Sequence, residues 1–210
     1  MSTRIQKSKP LMRKQPTQAR SKATVVAIVE AAARILSDQG WAGFTTNKVA
    51  EAAGVSIGSY YQYFPDKHSL VEAILDRHFD DCRWVMKNAL EGEKSLSLFV
   101  EELIDGIIAI HSVNSGLHRV LLDEAPRSET FRDPHSAFER EYLGYFRAAV
   151  AKYLRSEGGA SDRTVGMIVS DAIDGVVHNA ARRGTLQTVK VRNELVRMIT
   201  SYMENASTSA

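Results

Sequence analysis

From Ala19 to Gln39 apolar side chains return every three or four positions, at Val25, Ile28, Val29, Ala32, Ile35 and Leu36. That spacing predicts an amphipathic helix, which Gly40 closes. Trp41 and Phe44 follow in a short link and are expected to pack between this helix and the next elements. The same period predicts short helices over 45–53 and 57–63 and long ones over 67–90 and 96–113. A short helix is expected over 116–123, a charged loop with two prolines over 125–134, and three helices over 134–157, 162–184 and 188–205. No segment alternates with period two over a strand's length. The fold class is therefore all-α, with about nine helices and no internal repeat: an N-terminal helix-turn-helix followed by a larger helical half.

The stretch 45–67, TTNKVAEAAGVSIGSYYQYFPDK, is the one around which the rest is organised. Thr45 and Thr46 offer capping hydroxyls to a helix with Val49, Ala50 and Ala53 on one side. Gly54 stops it, because glycine just past a helix end takes a left-handed conformation that a Cβ resists. Val55 fills the corner, Ser56 caps a second helix from about Ile57 to Tyr63, and Pro65 ends that one. Two short helices across a tight turn make a helix-turn-helix.

Charge adds a direction. Residues 1–67 hold ten Lys or Arg against four Asp or Glu, and residues 68–210 hold 17 against 21. A basic end on a mildly acidic body is the footprint of a protein that places one end on a polyanion. Residues 1–18, with Arg4, Lys7, Lys9, Arg13 and Lys14 and no acid, read as a disordered arm. It is either an idle tail or an arm that attracts phosphates or reaches a minor groove. One cysteine, Cys82, rules out an internal disulfide and suits a reducing cytoplasm. No apolar run reaches membrane-spanning length, and the start of the chain lacks a signal sequence's apolar region.

In a helix-turn-helix the second helix reads base edges while flanking groups hold phosphates. Val55, Tyr60 and Phe64 are expected to face inward, leaving Ile57, Gly58, Ser59, Tyr61, Gln62 and Tyr63 outward. Gly58 permits close backbone approach and Ile57 suits a thymine methyl. Hydroxyls of Thr46, Ser59, Tyr61 and Tyr63, with the Lys67 amine, suit phosphates; Asn47 suits a base or the backbone. GVSIGSYYQYFPDK, preceded by FTTNKVAEAAG, closely resembles the DNA-binding domain of the tetracycline-repressor (TetR) family of bacterial transcriptional regulators, over about residues 19–75. The resemblance implies base contacts from Asn47, Ile57, Gly58 and Tyr61, and phosphate contacts from Thr46, Ser59, Gln62, Tyr63 and Lys67. Tyr60 stands where the family usually has a smaller, inward-packing apolar residue, and is read as structural.

The resemblance also implies that the later half dimerises through its last two long helices, about 162–184 and 188–205, and binds a small molecule between the middle ones. Gly166, Ala172, Gly175, Ala180 and Ala181 would let helices of two copies approach closely. A pocket would draw on Phe79, Met86, Phe99, Leu103, Ile107, Leu121, Phe138, Tyr142, Phe146 and His178, with Arg83, His111, Arg119 or Asp174 as a polar anchor. Such a lining suits a hydrophobic or amphipathic effector. The division expected is an arm over 1–18, the DNA-binding domain over 19–67, the ligand-binding and dimerisation domain over 68–205 and a disordered tail over 206–210. The six histidines show no metal-ligand spacing, with His111 and His118 seven apart; Cys82 lies on an apolar helical stripe where it packs; and no catalytic motif is present. The function expected is a DNA-binding regulator, a repressor released by an effector, with no cofactor and no metal. The alternatives are a DNA-binding regulator controlled by a protein partner and, further off, a helical enzyme.

Overall fold

A computed structural model describes residues 12–114, 116, 117, 120, 121, 137–154 and 160–206. These contain eight helices and no strand: α1 (Ala19–Gly43), α2 (Thr46–Ala52), α3 (Ile57–Tyr63), α4 (Lys67–Leu90), α5 (Leu96–Val113), α6 (Ala137–Leu154), α7 (Ala160–Arg182) and α8 (Val189–Ala206). The helix expected over 116–123, the loop 125–134 and the tail expected over 206–210 lie wholly or mostly outside the described residues, as do His118 and Arg119, with Ala206 of the tail ending α8 instead. Among the described residues no helix is long and apolar enough to cross a membrane.

The chain divides into two compact units, and the division falls after Asp76, inside α4. In the first unit the apolar face predicted for α1 is the buried one, with Ile28, Val29, Ala32, Ile35 and Leu36 in the core. Phe44, Val49, Tyr60, Phe64, Leu70 and Ile74 complete that core. Gly40 leaves the helical conformation at φ 67°, which kinks α1 and adds a last turn carrying the half-buried Trp41. The first turn of α4 belongs to this unit and is capped reciprocally. Asp66 accepts from the Ser69 N–H at 2.8 Å, while the Ser69 hydroxyl donates to the Asp66 carbonyl at 2.7 Å.

In the second unit α6 packs on α7, and α8 packs on both α5 and α7. The centre is filled by Met86, Phe99, Leu103, Ile104, Ile107, Phe146, Ile173, Val177 and Ile199, all nearly inaccessible. Gly166 permits the α6–α7 approach: a Cβ there would lie 3.1 Å from the Arg147 backbone nitrogen and 3.2 Å from the Phe146 carbonyl carbon. This corrects the expectation that the small residues of α7 face a second copy. Gly166, Ala180 and Ala181 are spent inside their own chain, and Ala172 packs against the same core. Only Gly175 has open space where a side chain would be.

Candidate functional site

The turn of the helix-turn-helix is built by backbone hydrogen bonds. Gly54, at φ 67°, donates its N–H to the Glu51 carbonyl, and Val55 donates to the Ala50 carbonyl, both at 3.0 Å. That pair satisfies carbonyls that the end of α2 would leave unbonded. At the other side Ser56 caps α3, its hydroxyl oxygen accepting from the Ser59 N–H at 3.0 Å and pairing with the Ser59 hydroxyl at 2.9 Å. Thr45 caps α2 by accepting from the Lys48 N–H at 3.4 Å.

The placement of α3 is fixed from behind. Tyr60 is fully buried, donates its hydroxyl to the Asp66 carbonyl at 3.2 Å and meets Tyr61 edge-on. Burial, with Tyr61 and Asp66 close by, pushes the Tyr60 hydroxyl well above the ordinary phenol range, so it stays a donor. Ile57 and Tyr61 are each 40% exposed, and Gly58 and Gln62 are exposed between them. The Tyr61 and Thr46 hydroxyls lie 3.1 Å apart, tying the two helices at the surface they share. Asn47 is exposed at the start of α2. Lys67 holds its ammonium 3.9 Å over the Trp41 ring, a cation–π contact that orders the side chain.

One expectation here needs correction. Tyr63 does not face outward: it is only 7% exposed. The physical reason is that α3 has two turns, so its 60, 63 and 64 positions share one side, and Tyr63 joins Tyr60 and Phe64 on the buried one. Ser59 is half-buried and already paired with the cap, so its hydroxyl is less free than the outward reading assumed.

A cluster in the larger unit joins two residues that the sequence offered for the pocket, His111 and His178, to one that it did not, His78. His78 of α4, His111 of α5 and His178 of α7 come together although 33 and 67 residues separate them in the chain. The His111 Nδ1–H donates to the Ile107 carbonyl at 2.8 Å, which leaves Nε2 to accept from His178 Nε2–H at 3.3 Å. Cys82 Sγ is 3.5 Å from His78 Nε2. Burial and the neighbouring imidazoles push His78 down to about 4 and His111 to about 3, and burial lowers His178 as well. The Cys82 thiol is pushed up to about 12, chiefly by burial, which makes it inert as a nucleophile. Beside them Tyr142 donates to Asp174 at 3.5 Å, and burial together with Glu139 and Asp171 raises Asp174 to about 7. Among the described residues no set of three or more His, Cys, Asp or Glu is arranged to hold a metal ion.

Phe79, Phe138, Tyr142 and Phe146 form a continuous aromatic run, with Phe79 and Phe138 stacked at 3.8 Å and Tyr142 edge-on to Phe146. Met86, Phe99, Leu103 and Ile107 are core residues, with Phe99 stacked on Tyr153 at 4.8 Å, and Leu121 is buried. Arg83 borders this region, its half-buried guanidinium lying 5.4 Å from the centre of the Phe138 ring. The same group pairs with Glu141 and Asp80, each at 2.8 Å. On another face a groove of about 890 Å³ runs between the end of α7 and α8, lined by Val176, Val191, Leu195 and Met198 with Lys190, Glu194 and Arg197.

A capped two-turn helix, fixed from behind and exposed along one side on a basic unit, defines a helix-turn-helix DNA-binding regulator. The family described as bacterial regulatory proteins, tetR family, matches residues 28–74, and a tetracyclin repressor-like C-terminal domain matches residues 95–203. The chain belongs to the TetR family. It is 33% identical over 89 residues to the nucleoid occlusion factor SlmA of Haemophilus ducreyi, covering 42% of this chain and 44% of that protein. It is 30% identical over 89 residues to the HTH-type transcriptional repressor KstR2 of Rhodococcus jostii, covering 40% and 44%. The chain thus spans about half the length of the curated relatives it matches. A putative TetR-family regulator from Rhodococcus sp. has the same fold, with a TM-score of 0.68 at 23% identity over 86% of this chain and 98% of that one.

Proposed function

We propose that the chain is a repressor that binds a palindromic operator as a homodimer and leaves it when a small hydrophobic or amphipathic molecule occupies the second unit. The observation that carries the reading is the exposed run Ile57, Gly58, Tyr61 and Gln62, held from behind by Tyr60 and Phe64. Asn47, Ile57, Gly58 and Tyr61 are assigned to bases; Thr46, Gln62 and Lys67, with Ser59, are assigned to phosphates. One such helix covers few base pairs, and two related by a twofold axis, about 34 Å apart, read a palindrome. α7 and α8 are assigned to the dimer: Met167, Ile168 and Met198 are large, apolar and exposed on them, and Met198 also lines the α7–α8 groove.

The effector is assigned to the aromatic run Phe79–Phe138–Tyr142–Phe146, with His178, His111 and Asp174 as polar anchors. α4 supplies the coupling, since it is one continuous helix from the DNA-binding unit at Lys67 to the effector unit at Leu90. An effector that favours one orientation of α4 shifts the separation of the two reading helices away from the spacing DNA requires. The test is fluorescence anisotropy of a selected operator against a panel of metabolites and drugs. Release by a compound that also raises the melting temperature supports the reading. A second reading, DNA binding under a protein partner's control, draws on the relatives named nucleoid occlusion factors. It is preferred if no compound releases the operator and no small molecule co-purifies by mass spectrometry.

A further inference from the structure

We propose that Arg13 and Lys14 form a second phosphate-gripping element, fastened to the recognition helix through the main chain, so that the segment before α1 holds the same DNA that α3 reads. The inference rests on the DNA-binding reading and extends it to residues outside the helix-turn-helix. The fastening is a hydrogen bond from the Arg13 N–H to the carbonyl of Tyr63, at 2.8 Å. Tyr63 is the last residue of α3, and its carbonyl is one of the acceptors a helix end leaves without an intrahelical partner. The bond therefore costs the helix nothing and fixes the segment before α1 at the C-terminal turn of α3.

It also leaves both cations available. Met12 and Pro16 on either side are half-buried, while Arg13 and Lys14 are exposed, and the hydrogen bond uses only main-chain atoms. The segment joins an interface already assigned: Gln62 of the same helical turn is exposed, and Lys67 begins the next helix. The start of α1 gives an independent indication. Its first turn contains no acidic residue, although the positive end of a helix favours Asp or Glu there, and it carries exposed Arg20 and Lys22 instead. From Met1 to Val29 the chain has seven basic residues and no acid. A local rule broken consistently in one direction marks a surface shaped by its partner, here a polyanion.

The test uses full-length protein carrying Arg13→Ala and Lys14→Ala together, titrated by anisotropy against a random-sequence duplex of about 30 base pairs between about 50 and 200 mM NaCl. Loss of two phosphate contacts lowers the magnitude of the log–log salt slope by about 2 for each bound protomer, with affinity at the low-salt end falling at least about tenfold. The charge-preserving pair Arg13→Lys and Lys14→Arg is expected to bind like the parent. Unchanged affinity and slope in the double alanine variant would overturn the inference while leaving the DNA-binding reading intact. Weaker binding with an unchanged slope and a lowered melting temperature would also overturn it, because the segment would then only brace α3. A parent protein that fails to bind the duplex at low salt would overturn both.

Discussion

Replacing Asp174 by Asn is expected to make the protein more sensitive to acid, although it removes a titrating carboxyl. Asp174 is raised to about 7 in the folded chain, against an ordinary value of 3.8. Between those values the folded state keeps a proton that the unfolded state releases, so this group's stabilisation is full at low pH and is lost as pH rises toward 7. The imidazoles run the other way. His78 and His111 are lowered to about 4 and about 3 from 6.5, so the unfolded chain takes up protons that the folded one refuses. Their contribution is full above pH 6.5 and is lost as pH falls toward 4.

With about 1.4 kcal/mol per pKa unit, lowering the pH from about 6.5 to about 5 costs roughly 1.6 kcal/mol through each of these histidines and returns about 2 through Asp174. These three groups then leave the parent with a net loss of about 1 kcal/mol, and the Asn variant with about 3. His178 adds to both losses, since it shifts in the same direction. Urea unfolding of parent and variant at the two pH values measures the comparison, and the groups that both proteins share cancel. The variant's extra loss is expected to be about 2 kcal/mol. An equal or smaller loss in the variant would refute the opposed titration of Asp174 and the imidazole cluster.

Three further outcomes follow from the geometry. Tyr61→Ala is expected to cost roughly 1–3 kcal/mol in operator affinity and less on random duplex, by anisotropy; equal losses would make Tyr61 a phosphate contact. Gly54→Ala meets no neighbour within 4 Å, so only the strain of its φ of 67° remains, and thermal unfolding should show a loss of about 1 kcal/mol. Met198→Asp places a charge on the exposed α8 face and is expected to yield a monomer by sedimentation, with folding retained; a stable dimer would move the interface elsewhere.

The helix-turn-helix was legible because its determinants are local. Gly54, Ser56 and Pro65 act within a few residues, and the structure places the turn, the cap and the stop where those residue types require them. Tyr63 was misread because, on a two-turn helix, the burial of its third aromatic depends on what the helix rests against. The histidine cluster had no sequence signature, since its members come from three helices and no spacing rule links them. Gly166 and Ala180 signalled close approach correctly but not to what: small residues reveal proximity, and the partner was the chain's own α6 and core. The bond from Arg13 to Tyr63 is main chain to main chain, so no side-chain pattern could announce it.

Selection of bound duplexes from a randomised pool by the full-length protein puts the reading of DNA to the test. Two copies of α3 on a twofold axis predict enrichment of an inverted repeat whose half-sites are centred about one helical turn apart, and Tyr61→Ala should relax the preference within each half-site. Binding without enrichment, or enrichment of a single half-site with no inverted partner, would contradict the dimeric reader.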